Sequence, residues 1–230
     1  MVKDKIPGSV KKWDAEISFK IFKSFPKDEK SGAILKAIEF SCHNVLWIGV
    51  TLIGLCVSPN ATFFRHLLVG IISDIFHVAI IKAYSRRRRP SYGVNRPKDV
   101  DKRSKDGAKG DEDKESEDGA QNLIDVVDKH SFPSGHASRA VYFASLISNY
   151  YLSGDTLSST LLSFLIYAWA VSVSASKVIN GKNHLLDALF GALLGKANYF
   201  IQFVTGSPIN AIISFLLSNI LSADYNDYSR

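Results

Sequence analysis

Cysteine is scarce in this sequence of 230 residues, which contains only Cys42 and Cys56. Both lie in one apolar stretch, where a helix would hold them far apart along its axis, so they cannot form a disulfide within the chain. The spacing Cys-x-x-Cys is absent, which argues against a cysteine-based zinc or redox site. No cluster of acidic residues indicates a divalent metal. We therefore expect chemistry that needs neither a metal nor another cofactor.

The N-terminus lacks the apolar core of a signal peptide. It begins Met-Val-Lys-Asp-Lys, so we expect no cleavage.

Charge is nearly absent from several long stretches of the chain. The averages, 46% hydrophobic and 22% charged, would fit a soluble protein, but the charges are concentrated in residues 1–36 and 82–118. The apolar runs between them approach the roughly 20 residues that a helix needs to cross a bilayer. We therefore predict an all-α protein, an integral membrane bundle of five or six apolar helices. A soluble all-helical bundle with long buried helices is the alternative.

The predicted helices follow the apolar runs. They cover residues 34–57, 61–81, 137–152, 156–175 and a fifth segment that ends near residue 204, and a shorter apolar stretch follows at 209–221. Asp74 lies in the middle of the second run. We predict that it pairs with a hydroxyl or a cation of another helix, because a carboxylate at that depth needs a partner.

Three regions result from this pattern. They are a polar N-terminal region (1–36), a membrane-embedded domain (37–221) interrupted by a flexible charged loop (91–122), and a polar tail (222–230). In the first region Trp13, Ile17, Ile21 and Phe25 recur every four residues, which predicts an amphipathic helix. It would lie on the membrane surface or pack on the core of the protein, and the sequence alone leaves both possibilities open.

The positive charge sets the predicted topology. The N-terminal region and residues 82–105 are the most basic parts of the chain, so both are expected in the cytosol. We therefore interpret the net charge of +6 as a topology signal and as a source of contacts with anionic headgroups. We expect no nucleic-acid partner. Counting the spans then brings three polar stretches to the cytosolic face, at residues 82–90, 131–136 and 177–187.

The residues gathered there suit a phosphoryl group. The cations are Lys82, Arg89, Lys177 and Lys182, and the other polar groups are Ser134, the backbone N–H of Gly135, His136, His184 and Asp187. Fixed cations and N–H donors stabilise the oxygens of a phosphoryl group in transfer. One imidazole can attack phosphorus, the other can protonate the leaving oxygen, and a carboxylate can orient the attacking ring.

Three motifs in these stretches resemble the type 2 phosphatidic acid phosphatases, which share their site with the vanadium haloperoxidases. Lys82 is followed after six residues by Arg89-Pro90, and residues 133–136 read Pro-Ser-Gly-His. The family's third motif is Ser-Arg, five residues, His, three residues, Asp. Ser176 and Asp187 stand at that separation, but Lys177 replaces the arginine, Asn183 occupies the histidine position, and His184 comes one residue later.

The resemblance implies a role for each of these residues. Lys82, Arg89 and Lys177 would bind phosphate, Ser134 and Gly135 would donate to its oxygens, and His136 would be the general acid. A bulge or 3₁₀ turn near Gly181 would let His184 replace the missing nucleophile beside Asp187.

The implied function is a metal-independent membrane lipid phosphatase with a phosphohistidine intermediate. Its substrate would be a lipid phosphate monoester or an isoprenoid diphosphate, and the motif around residues 131–139 is most similar to the polyisoprenoid (presqualene) diphosphate phosphatase branch. The expected location is the endoplasmic reticulum or the nuclear envelope, with the site facing the cytosol. One alternative is an inactive scaffold protein of the same membranes, and another is a haloperoxidase. The oligomeric state is left open.

Overall fold

The computed structural model describes residues 7–26, 28–58, 61–92, 130–154 and 156–205. In these ranges all regular elements are α-helices, apart from one isolated bridge between Arg88 and His130, which confirms the all-α prediction for this part of the chain. In chain order the helices are α1 (Gly8–Ser24), α2 (Glu29–Ser41), α3 (Asn44–Val57), α4 (Ala61–Ser85), α5 (Gly135–Tyr151), α6 (Leu157–Ile179) and α7 (185–205). The predicted stretches at 209–221 and 222–230, and the loop from residue 93 onward, lie outside the described residues.

Helix α5 is the centre of the bundle. Its side chains are buried from residue 137 to 146 with one exception, and they pack between α4 and α6. Asp74 of α4 accepts a hydrogen bond from the Ser138 hydroxyl and lies 3.3 Å from a guanidinium nitrogen of Arg139. These contacts confirm the predicted role of Asp74 as a partner between helices.

The first predicted span is not one helix. The chain breaks at Cys42 and His43, and α2 and α3 are bent by 42° relative to each other. The His43 ring accepts from the backbone N–H of Val45 and so caps α3, while the Trp47 indole donates to the carbonyl of Ser41 at 2.8 Å. These contacts satisfy groups that the break exposes. The predicted boundary between residues 36 and 37 lies inside α2.

Two other helices extend beyond their predicted ends, into the stretches that carry the motifs. Helix α4 continues four residues past its predicted end, to Ser85, and α6 continues to Ile179. Lys177 therefore lies in the last turn of α6, whereas the sequence placed it in the following loop. Lys82 lies in the last turn of α4.

Two described helices are long and apolar enough to cross a membrane, Thr62–Ser85 and Leu157–Ile179. Counting the bent α2–α3 pair as one span makes three among the described residues, so the five or six apolar helices expected are not confirmed there. Large apolar side chains are exposed on the outer faces of the helices, including Ile53, Phe76, Phe164 and Phe203. An exposed apolar surface of this kind is typical of helices that face lipid.

Helices α5 and α7 approach each other closely through glycine. Gly191 and Gly195 form a Gly-x-x-x-Gly pair on α7, and a Cβ atom on them would overlap the carbonyl oxygens of Ser134 and Ser138, respectively. Small residues at this spacing let two helix backbones pack in contact. The first turn of α5 is thereby fixed against α7.

Helix α1 packs on the protein. Its buried residues are Asp14, Ser18 and Phe22, so the face turned to the bundle is largely polar. Trp13 and Phe25, at the ends of the predicted apolar stripe, stay exposed. The sequence left open whether α1 lies on the membrane surface or on the protein core. In the structure it packs on the core, and it does so through its polar face.

Candidate active site

Three separated segments of the chain meet at the ends of α4, α5 and α6. The backbone N–H of Ser131 donates to the Arg87 carbonyl at 2.9 Å, and the Asn183 amide donates to the Ser131 carbonyl at 2.6 Å. The backbone N–H of Ser134 donates to the Asp187 carbonyl at 2.9 Å. The stretches that carry the three sequence motifs are therefore in direct contact.

Arg87 lies at the centre of this junction. One guanidinium nitrogen contacts Asp187 at 2.7 Å, and another contacts Asp14 of α1 at 2.6 Å. Arg87 is 6% exposed and both carboxylates are fully buried. Each member of a buried ion pair depends strongly on its partner, because water cannot replace it. Arg87 thus joins α1, the end of α4 and the start of α7.

The first turn of α7 is capped by three side chains. The backbone N–H groups of residues 184, 185 and 186 donate to Asp187 Oδ2, Ser18 Oγ and Asp14 Oδ1, at 2.8, 2.8 and 3.0 Å. The free N–H groups at a helix start need acceptors of this kind. Two of the three acceptors come from α1, so the N-terminal helix helps to hold the segment that contains His184.

The Asp187 carboxylate does not orient the His184 ring in the predicted way. One of its oxygens accepts from Arg87 and the other from the backbone N–H of His184. The carboxylate caps the helix, because an aspartate three residues after the first capped residue can reach back to its backbone. The prediction from the sequence was a contact between the two side chains.

The His184 ring is buried and has an unused nitrogen. Its residue is 9% exposed, and among the described residues no group bonds to Nδ1. The pKa of His184 is lowered to about 4, chiefly by burial and next by the charge of Arg87. Asp14 and a hydrogen bond with the Arg88 backbone oppose that shift. The imidazole is therefore neutral at pH 7, as a nucleophile must be.

A tight turn separates His184 from α6. Gly181 has a φ of 64°, and the N–H groups of Gly181 and Lys182 donate to the carbonyls of Val178 and Lys177. This is a Schellman arrangement, in which a left-handed glycine ends the helix. It takes the place of the bulge or 3₁₀ turn expected near Gly181. Asn183 is then directed to the Ser131 carbonyl, where it holds the neighbouring segment.

His136 lies among cations in the first turn of α5. Its Nδ1 is 3.4 Å from a guanidinium nitrogen of Arg139, and the charges of Lys177 and Lys182 also act on the ring. Gly135 is close to the same guanidinium, since a Cβ atom there would lie 3.1 Å from it. Ser134 precedes the helix and makes no side-chain cap to it.

The remaining predicted phosphate ligands are Lys82, Arg89 and Lys177. Lys82 is buried and Arg89 is exposed, and the Arg89 charge acts on Lys177. The Lys177 ammonium is 3.0 Å from the carboxylate of Glu39 on α2. In the described part of the chain, no group of three or more His, Cys, Asp or Glu side chains could hold a metal ion.

Several residues of the site were not predicted from the sequence. They are Asp14, Ser18, Glu39, Arg87 and Asn180. Arg87 was visible only as one of four consecutive arginines, and the motif directed attention to Arg89. Asp14 and Ser18 are four residues apart on α1, which is a weak sign of a polar contact face.

Comparisons with known proteins give a matching family model and a curated relative. A family model described as the PAP2 superfamily matches residues 63–205. A curated protein of Arabidopsis thaliana, "Probable lipid phosphate phosphatase beta", is 25% identical over 183 residues, which cover 70% of this chain and 74% of that protein.

Two crystal structures have a similar fold. LpxE of Aquifex aeolicus matches with a TM-score of 0.59 at 15% identity, over 88% of this chain and 99% of that chain. The transmembrane PAP2-type phosphatidylglycerolphosphate phosphatase of Bacillus subtilis matches with a TM-score of 0.60 at 18% identity, over 88% of this chain and 89% of that chain.

Proposed function

The chain belongs to the PAP2 superfamily, and on that premise we propose that it is a membrane lipid phosphatase whose nucleophile is His184. The observation that carries the proposal is the buried Nδ1 of His184, which has no partner among the described residues. A buried polar atom without a partner is costly, and it is expected where a ligand completes the site.

The proposed reaction has two steps. Neutral His184 attacks phosphorus through Nδ1, with its proton held at Nε2 beside the Arg88 backbone. A P–N bond forms, the P–O bond to the lipid breaks, and His136 gives a proton to the leaving oxygen. Water then attacks the phosphohistidine, His136 accepts its proton, and inorganic phosphate leaves His184 free.

The phosphoryl oxygens would bind to the cations around this point. Lys82, Arg89 and Lys177 supply positive charge, and Ser134 and the Gly135 N–H supply donors at the start of α5, where the helix dipole favours an anion. In the empty site, burial and next the charges of Lys177 and Arg139 lower the pKa of His136 to about 2. The negative charge of a bound phosphate would raise this pKa by offsetting the nearby cations, and His136 would act as an acid only with substrate present.

The proposed substrates are lipid phosphate monoesters or isoprenoid diphosphates. The name of the Arabidopsis relative supports a lipid phosphate, and the motif around residues 131–139 supports the isoprenoid branch. We place the site on the cytosolic side of the endoplasmic reticulum or the nuclear envelope, because the segments that form it adjoin the most basic parts of the chain.

The test uses the full-length protein purified in detergent, with a chelator present. Phosphate release is measured from phosphatidic acid and from farnesyl diphosphate, each with a radioactive label in its terminal phosphate. The protein is also examined for labelled phosphohistidine, which is labile in acid and stable in base. His184→Ala should abolish both the turnover and the label on the protein. Asn183→Ala should retain both at a reduced rate, since it loses only the bond to Ser131. Retention of labelled turnover in His184→Ala would exclude His184 as nucleophile.

His136→Ala provides a second readout. A lipid alcohol is a poor leaving group and needs protonation, whereas phosphate leaving from a diphosphate is a better one. The variant should therefore lose more activity on phosphatidic acid than on farnesyl diphosphate. Equal losses on both substrates would argue against His136 as the general acid.

A second candidate function is a scaffold that binds phosphate but has lost turnover. Two observations favour it. Asn183 occupies the motif position of the nucleophile, and Asp187 is paired with Arg87 and not with an imidazole. Phosphate binding without release of phosphate from either substrate would establish this alternative.

A further inference from the structure

The side chain of Arg139 reaches back along α5 to the first residue of that helix. A Cβ atom on Gly135 would lie 3.1 Å from Nη1 and 3.5 Å from Nη2 of the Arg139 guanidinium. Arg139 is 7% exposed, so its charge is buried beside a backbone N–H that we assign to phosphate. The positive end of a helix dipole is an unfavourable place for a buried cation unless negative groups lie close to it.

The hydrogen bonds of this guanidinium are incomplete. It has five N–H donors. Nη1 is 3.3 Å from a carboxylate oxygen of Asp74, and Nη2 is 3.4 Å from Nδ1 of His136, which are long distances for charge-assisted bonds. Nε is buried and has no partner among the described residues. Buried donors without good acceptors are costly, and they are expected where a ligand supplies the acceptors.

The donors without a carboxylate lie on one edge of the guanidinium. The N–H of Nε and one N–H of Nη2 point in the same direction, and such an edge can bind two oxygens of one phosphate. Asp74 contacts Nη1, which is outside this edge, and Asp74 is fully buried and accepts from the Ser138 hydroxyl. Arg139 is therefore held by α4 at one nitrogen while its bidentate edge is directed to His136.

The third motif does not supply such an edge. Lys177 stands at the arginine position of that motif, and an ammonium cannot make the planar two-nitrogen contact of a guanidinium. Its ammonium is also paired with the Glu39 carboxylate at 3.0 Å. A guanidinium is present instead on α5, three residues after His136.

We propose that Arg139 is a phosphate ligand of the site and that it binds two phosphoryl oxygens through Nε and Nη2. The proposal rests on the proposed function in one respect, namely that the phosphoryl group binds beside His136 at the start of α5. Without phosphate, Nη2 donates to Nδ1 of His136, because a guanidinium has only donors. A phosphoryl oxygen takes over that donor, and Nδ1 of His136 is then able to hold the proton that a general acid needs.

The test measures the affinity of the full-length protein for inorganic phosphate by titration calorimetry in a nonionic detergent. Arg139→Lys keeps a positive charge beside Asp74 but loses the bidentate edge. The affinity for phosphate should fall about tenfold or more, since charge-assisted hydrogen bonds are lost. Unchanged affinity in the folded variant would overturn the proposal.

Arg65→Lys is the matched control. Arg65 lies near the start of α4, at the opposite end of that helix from Lys82, and the chemical change is the same. This variant should bind phosphate as the wild type does. Equal losses in Arg65→Lys and Arg139→Lys would show that the effect is not local to the site, and they too would overturn the proposal.

Asp74→Asn separates a phosphate ligand from a merely structural partner of Asp74. The amide oxygen still accepts a hydrogen bond and Arg139 keeps its charge, so the variant should retain its affinity for phosphate. A loss as large as that of Arg139→Lys would make Arg139 a structural residue and would overturn the proposal.

The double variant Asp74→Asn/Arg139→Gln serves if Arg139→Lys fails to fold. It replaces the ion pair by two amides that can bond to each other, and so it leaves no unpaired charge in the interior. Its affinity for phosphate should be about tenfold or more below that of Asp74→Asn. Equal affinities of the double variant and Asp74→Asn would contradict the assignment.

Binding requires no turnover, so the two proposals fail separately. A protein whose phosphate affinity depends on Arg139, but which releases no phosphate from lipids, would refute the catalytic proposal alone. Release of phosphate together with wild-type phosphate affinity in Arg139→Lys would refute the role of Arg139 alone.

Discussion

The Asp187 carboxylate accepts a hydrogen bond from the backbone N–H of His184, 2.8 Å away, while Nδ1 of the His184 ring has no partner among the described residues. The contact shows how a one-residue displacement is accommodated. The carboxylate stays at the start of α7 and fixes the main chain of the histidine. The orientation of the ring then depends on burial and on the Arg88 backbone.

The pH dependence of activity follows from that environment. The pKa of His184 is about 4, lowered first by burial and then by Arg87. If the neutral ring attacks phosphorus, the acidic limb of kcat/KM that belongs to His184 should lie near pH 4 and not near 6.5, the ordinary value for histidine. The measurement is kcat/KM between about pH 3 and 8 on a soluble lipid phosphate. An acidic limb near 6.5 that the ionisation of the substrate phosphate does not explain would contradict the assigned environment.

The same group links stability to pH. The folded pKa lies below the unfolded value, so the unfolded chain binds the extra proton between about 6.5 and 4. The stability due to the neutral ring is present above 6.5 and is lost as the pH falls toward 4. Thermal unfolding in the same buffers should show this loss in the wild type, and a smaller loss in His184→Gln.

Of the four consecutive arginines at residues 86–89, Arg87 should contribute most to the stability of the protein. Arg87→Met leaves Asp14 and Asp187 fully buried without a cation, which costs about 3–5 kcal/mol when one partner of a buried pair is removed. Arg87→Lys should recover only part of this, since an ammonium cannot reach two carboxylates as a guanidinium does. The measurement is thermal unfolding of the purified protein in detergent.

The control for Arg87 is its neighbour. Arg88 is exposed, so Arg88→Ala should unfold close to the wild-type temperature. Adding Asp14→Asn to Arg87→Met should restore part of the lost stability, because one unpaired charge is removed. Equal stability of Arg87→Met and Arg88→Ala would show that the bridge contributes nothing.

Most helices could be predicted from the sequence. An apolar run long enough to cross a membrane is expected to be a helix, because a helix satisfies the backbone hydrogen bonds within the segment. The break at Cys42 and His43 was not. No proline or glycine marks it, and the bend depends on the His43 cap and on the bond from Trp47 to Ser41. Contacts of this kind form only once the neighbouring helices are in place.

The site was predictable in position and less so in detail. Counting spans placed the three motif stretches together, and hydrogen bonds join those stretches in the structure. The partners of the charges were not predictable, because the pairs are distant in sequence. Asp14 and Arg87 are 73 residues apart, and Glu39 and Lys177 are 138 residues apart. A sequence shows that a buried charge needs a partner, but the fold decides which one it has.

The close contact of α5 and α7 gives a prediction about how the site is held in place. In Gly191→Ala and Gly195→Ala the new methyl group would overlap the carbonyl oxygen of Ser134 and of Ser138, respectively. Neither oxygen can move without its helix, so each variant should lose about 1–3 kcal/mol of stability. Gly191→Ala should also reduce phosphate release more than Gly195→Ala, because the N–H of Ser134 is bonded to Asp187.

Gly49→Ala separates this contact from the general effect of replacing a helical glycine. Gly49 lies in α3, and a Cβ atom there would meet nothing within 4 Å. The substitution should be neutral or stabilising by up to about 1 kcal/mol, which is the usual advantage of alanine over glycine in a helix. Thermal unfolding and phosphate release of the three variants decide the matter. If all three behave alike, the backbone contact between α5 and α7 does not hold the first turn of α5 against Asp187.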